Sequence, residues 1–100
     1  MQFLQTEKMP INIYNDINND KIEYLCEDIW DLPTQISELE KWLAEKGKEL
    51  PLGKYVADIG FDIRKNASGG GGIINTNMIN IMSEIGIEVY LSEYPGLNKK

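Results

Sequence analysis

Between Tyr55 and Ile63 the chain alternates without a break: Tyr55, Ala57, Ile59, Phe61 and Ile63 are separated by Val56, Asp58, Gly60 and Asp62. Successive side chains of a β-strand point to opposite faces. This pattern therefore predicts a strand with apolar residues on one face and two carboxylates on the other. The apolar face needs a covering layer, and a chain of 100 residues has room for one core only. A single domain over residues 1–100 is expected, and the rest of the chain must supply the cover.

Two stretches have the right periodicity to do so. Asp31 precedes Leu32-Pro33, a proline suited to a first helical turn because its missing N–H is not needed there. Ile36, Leu39 and Leu43 then recur at helical spacing with Trp42 beside them, while Gln35, Glu38, Lys41 and Glu45 lie mostly on the wet side. Gly47 and Pro51 end this helix. Further on, Asn75 or Thr76 caps a second helix whose Met78, Ile81, Met82 and Ile85 form a stripe, and Gly86 follows as its stop.

Three more strands are predicted. Ile87 to Tyr94 alternates and ends at Pro95-Gly96, with Ile87, Val89 and Leu91 toward the core and Glu88, Tyr90, Ser92 and Tyr94 away from it. At the other end, Ile11 to Tyr14 is separated by an Asn/Asp-rich turn from Lys21 to Cys26. In that segment Ile22, Tyr24 and Cys26 share a face. This reads as a hairpin, with a short helix over 19–29 as the competing reading. The sum is an α+β two-layer sandwich: a mainly antiparallel sheet of about four strands, with two helices on one face.

Composition narrows the function. Sixteen acidic residues against ten basic give a net charge of −6, and there is no histidine. A negative field repels nucleic-acid phosphates and anionic lipids and attracts basic partners, although a soluble small domain normally carries a charge of this size. Without histidine, the histidine-based triads and histidine zinc sites are excluded. Cys26 is the only cysteine and sits beside Tyr24 and Leu25, which suits a small buried hydrophobe better than a reactive thiol. Residues 1–8 lack the basic and apolar regions of a signal peptide, and no stretch is apolar for the roughly 20 residues a membrane span needs. The expected location is the cytoplasm.

Other chemistry is weakly represented. Asp58 and Asp62 share a strand face about 13 Å apart, wider than the roughly 5–9.5 Å of glycosidase carboxylate pairs. An enzyme would need carboxylates gathered from distant segments, such as Asp28, Asp31 and Asp58. Asp16, Asn18 and Asp20 begin like a calcium loop, but Lys21 stands where its glycine belongs. No metal and no cofactor is expected. The run Gly69, Gly70, Gly71 and Gly72 before the second helix could cradle an anion with backbone amides, but it lacks the lysine and hydroxyl residue of a phosphate loop. A small regulatory or anion-binding domain using this loop is the alternative reading; a tight or flexible connection is the plainer one. The sheet's second face would carry Asp58, Asp62, Glu88, Tyr90 and Tyr94. Carboxylates beside tyrosines suit a protein interface, and a polar face simply in water also fits.

From Ile29 to Tyr94 the chain resembles an uncharacterised bacterial family of small α+β domains in its order of parts. These are a helix like Leu32 to Lys46, a strand like Tyr55 to Phe61, a glycine-rich turn, a helix like Asn75 to Ile85, and a closing strand ending in tyrosine. Small acidic proteins of this type also look like the immunity partners of bacterial polymorphic toxins, including contact-dependent growth inhibition systems. That resemblance implies no enzymatic activity of its own and a cognate toxin domain as partner, commonly a basic nuclease whose active site the immunity protein occludes. Asp58, Asp62, Glu88, Tyr90 and Tyr94 are the expected anchors.

Overall fold

Asn15 opens the first turn by using its own side chain as a template. Its Oδ1 accepts from the N–H groups of Ile17 and Asn18, at 2.8 and 3.2 Å. Asn18 Oδ1 accepts from Asp20 N–H, and Asn19 takes the left-handed conformation at φ 65°. The result is a hairpin of β1 (Ile11–Asn15) and β2 (Lys21–Leu25), not a helix. The remaining elements are α1 (Leu32–Glu45), a 3-10 turn (Gly47–Glu49), β3 (Tyr55–Phe61), α2 (Thr76–Ile85) and β4 (Ile87–Glu93). This computed structural model describes residues 9–63, 66 and 68–94. The expectations for residues 1–8 and for the Pro95-Gly96 stop lie outside them.

The four strands form one sheet in the order β2-β1-β3-β4. β1 runs antiparallel to both β2 and β3, whereas β3 and β4 are parallel. A parallel pair needs a crossover, and α2 supplies it. The fold is α+β, with a mixed sheet and two helices. Both helices are capped from their own sequence: Thr34 N–H donates to Asp31 Oδ2, and Met78 N–H to Asn75 Oδ1. The core lies between the helices and one sheet face. Ile11, Ile13, Tyr55, Ala57, Ile59 and Ile87 come from the strands; Ile36, Leu39, Trp42, Leu43, Met78, Met82 and Ile85 come from the helices.

Four expectations change. Gln35 is not on the wet side but 0% exposed. Its Nε2 donates to Ile29 O at 2.9 Å and to Gly60 O at 2.7 Å, two carbonyls at the sheet's end. β3 ends at Phe61; Phe61 is half-buried and Ile63 is 40% exposed, because the chain leaves the sheet there. Leu91 is 59% exposed. β4 is an edge strand, and the cover over it thins from buried Ile87 through half-buried Val89 to Leu91. In the hairpin, the register shifts between Ile13 and Tyr14, so Ile22, Tyr24 and Cys26 do not share a face. Leu25 lies opposite core residue Ile11 and packs on the core with Ile22 and Cys26, whereas Tyr24 lies opposite Asn12 on the other face.

Candidate functional site

Since Ile11, Ile13, Tyr55, Ala57 and Ile59 face the helices, strand alternation turns Asn12, Tyr14, Val56 and Asp58 the other way. The pairing registers align them with their neighbours. One row across the sheet reads Tyr24, Asn12, Asp58, Tyr90, and the next reads Lys21, Tyr14, Val56, Glu88. At about 4.8 Å between strands, the first row is roughly 14 Å long. Its centre is a carboxylate and an amide, and a phenol stands at each end.

Side-chain geometry sharpens this picture. Half-buried Asp58 accepts at Oδ1 from Ser92 Oγ, 2.8 Å away, which holds the carboxylate in place. The Tyr14 phenol has its pKa raised, first by burial and then by the charges of Asp58, Tyr90 and Asp16. Tyr14, Asp58 and Tyr90 are thus electrostatic neighbours. Tyr90 is 44% exposed. At the β2 margin, Lys21 Nζ stands 5.3 Å from the centroid of the Tyr24 ring, so this face already stacks one cation on a phenol. The face is not uniformly wet: Val56, flanked by Tyr14 and Glu88, is 0% exposed.

Of the five residues the sequence proposes, Asp58, Glu88 and Tyr90 come together here. Tyr94 lies at the end of the face as a packing residue. Its ring covers Gly60, where a Cβ would come within 2.6 Å of Tyr94 Cε2, and it meets Trp30 edge-on with centroids 6.0 Å apart. Asp62 follows the end of β3, with its N–H donating to Trp30 O at 3.1 Å. Sequence reasoning missed Asn12, Tyr14 and Tyr24. For the first two the signal was present, since they alternate with Ile11 and Ile13; Tyr24 was hidden by the shifted register.

Catalytic arrangements find less support. Asp31 caps α1, exposed Asp28 sits at φ 59°, and Asp58 lies on the sheet. Among the described residues, no group of three or more histidine, cysteine, aspartate or glutamate side chains could hold a metal ion. The turn that begins like a calcium loop uses Asn15 and Asn18 oxygens on its own backbone. Burial, with help from Glu38 and Asp31, pushes the Cys26 thiol up to about 11, so it is protonated and poorly nucleophilic near neutrality.

The glycine run is explained by geometry. Gly69, Gly70 and Gly71 all have positive φ, and a Cβ on Gly72 would lie 2.4 Å from Ile36 Cγ1 of α1. The chain thus turns and presses against the first helix. The adjacent groove contains Glu40 and no lysine or arginine among its described lining residues. Asn75, which caps α2, donates from Nδ2 to Glu40 Oε2 at 2.8 Å. A carboxylate at this helix start opposes a bound anion.

Among the described residues, no helix is long and apolar enough to cross a membrane. Comparison with protein-family models, curated proteins and solved structures found no match.

Proposed function

We propose that the chain is an immunity protein that binds a basic toxin domain one to one and occludes its active site. Contact is made through the sheet face carrying Tyr14, Tyr24, Asp58, Glu88 and Tyr90. The observation that carries this reading is the placement of Asp58 between phenols on a face that neither helix covers. Tyrosine buries a large area while fixing few torsions, and it keeps a hydroxyl for hydrogen bonding. Carboxylates beside it pair with arginine and lysine. A nuclease must present those same cations to hold phosphates, so an acidic aromatic face competes for the groups its substrate needs. The net charge of −6 steers such a partner and discourages binding to nucleic acid or anionic membrane. The protein would act in the cytoplasm, without cofactor or metal. The anion-binding alternative at Gly69–Gly72 has no comparable observation in its favour.

Co-production with the toxic product of a neighbouring gene tests the reading. Growth is restored, and the purified pair forms a one-to-one complex that associates more slowly as salt is added. Tyr90→Ala weakens it by about 2 kcal/mol, roughly 30-fold. Asp58→Ala chiefly slows association and flattens the salt dependence. Absence of both protection and complex at low salt sinks the immunity reading. Unchanged affinity after replacing Asp58 and Tyr90 together sinks this choice of face.

A further inference from the structure

We infer that the partner also adds a strand to the sheet, laying a basic extended segment along the outer edge of β4. This rests on the proposed function and extends its contact surface from the open face around the sheet's rim.

The two edges of the sheet differ. β2 is short, at five residues; it begins with Lys21, carries a register shift and is followed by Cys26 at φ 65°. Each of these devices discourages a foreign strand from pairing. β4 has none of them. Its seven residues, Ile87–Glu93, include no lysine, arginine, proline or glycine, and its pairing with β3 runs without a register shift. Among the described residues, no strand lies beyond it.

The hydrogen bonds define what this edge offers. Tyr55 N–H donates to Gly86 O, and Tyr94 N–H donates to Phe61 O, both at 2.9 Å. In a parallel pair, alternate residues of each strand bond the neighbour. Even-numbered residues of β4 therefore serve β3, and Ile87, Val89, Leu91 and Glu93 turn their N–H and C=O groups outward. Exposed Leu91 offers an apolar contact at the same place.

Charge selects the occupant. A second copy pairing through β4 would bring Glu88 and Glu93 from two chains, each of net charge −6, into one seam. A segment alternating lysine or arginine with apolar residues would instead place its cations on one face, where they pair with Glu88 and not with Glu93 on the opposite face. Its cations on one side would adjoin Glu88 and Tyr90, continuous with the face around Asp58.

Strand addition is driven mainly by backbone bonds and tolerates sequence variation, so a short synthetic peptide alternating lysine with valine is a sufficient probe. Amide hydrogen exchange is followed by NMR at low salt with and without this peptide. The expected result is at least about tenfold slower exchange at Val89 and Leu91. Leu91→Pro removes an outward N–H while leaving the β3 pairing intact, and should weaken binding by about tenfold or more. Leu91→Thr, which keeps that N–H and loses only the apolar contact, should weaken binding far less than Leu91→Pro. If Leu91→Pro fails to fold, the exchange pattern of the parent chain decides alone. Perturbation of Tyr14, Asp58 and Tyr90 with unchanged exchange at Val89 and Leu91 overturns the edge proposal and leaves the open-face reading standing. Protection that rises with protein concentration in the absence of peptide overturns the basic occupant in favour of a second copy. Edge protection by peptide, combined with toxin affinity indifferent to Asp58 and Tyr90, supports the edge and sinks the face.

Discussion

Replacing Gly86 with alanine should damage this protein more than any exposed substitution, because two separate constraints meet at that residue. Gly86 ends α2 at φ 100° and ψ 37°, with its N–H donating to Met82 O. A side chain in this left-handed region adds about 1–2 kcal/mol. The second constraint is tertiary: a Cβ there would lie 2.0 Å from the backbone oxygen of Gly53. The approach cannot relax freely, since Gly53 N–H donates to Ile85 O and Tyr55 N–H to Gly86 O, both at 2.9 Å. Moving the segments apart to normal contact loses at least one of these bonds, worth about 1 kcal/mol net each. The sum is about 2–4 kcal/mol, a large share of the 5–15 kcal/mol typical of a whole domain. Urea unfolding should show a lower midpoint at unchanged slope, and thermal unfolding a Tm lower by roughly 8–30 °C. Gly86→Asn separates the terms, because asparagine tolerates the left-handed region but still meets Gly53; it should recover about 1 kcal/mol relative to alanine. A loss below about 1 kcal/mol for Gly86→Ala would refute the close seating of Gly53. It would also unsettle the register that places Tyr90 opposite Asp58, since β4 starts at the next residue.

Gln35→Met keeps the side chain's approximate volume but leaves the carbonyls of Ile29 and Gly60 without their donor; a loss of about 2 kcal/mol is expected, and an unchanged denaturation midpoint would contradict it. Asp58→Asn should lower the Tyr14 titration midpoint in an ultraviolet pH titration without bringing it to the ordinary value, since burial is the larger cause of the shift. Cys26 in the folded chain should react with an alkylating reagent at pH 8 about a hundredfold more slowly than in the unfolded chain, its pKa being raised from 9.0 to about 11. Because the unfolded thiol ionises first, that raised pKa contributes stability below pH 9 that is lost as pH rises toward about 11; Cys26→Ala should lose this part of the alkaline decline.

Much of the architecture was legible because it depends on local periodicity. The stripes at Ile36, Leu39 and Leu43 and at Met78, Met82 and Ile85 state which side of each helix is buried. Asp31, Asn75 and Gly86 mark helix ends through bonds and dihedrals made within a few residues of themselves. The alternation from Tyr55 likewise shows which β3 residues face the core, and so turns Asp58 to the opposite side.

What local pattern does not carry is the identity of the neighbours. Gln35 reads as a wet-side residue because helical phase says nothing of the Ile29 and Gly60 carbonyls that the fold brings above it. Leu91 keeps the correct phase for the core yet is exposed, since coverage depends on where the helices stop and on β4 taking an edge position. The sequence alone therefore determined the two helices, the presence of β3 and β4 and the outward turn of Asp58 and Tyr90, while it left residues 19–29 open between strand and helix. Only the tertiary structure joined these residues with Tyr14 and Tyr24 into one face and left no strand beyond β4 among the described residues. Both outcomes follow from strand order and register, which are set by contacts between segments far apart in the chain.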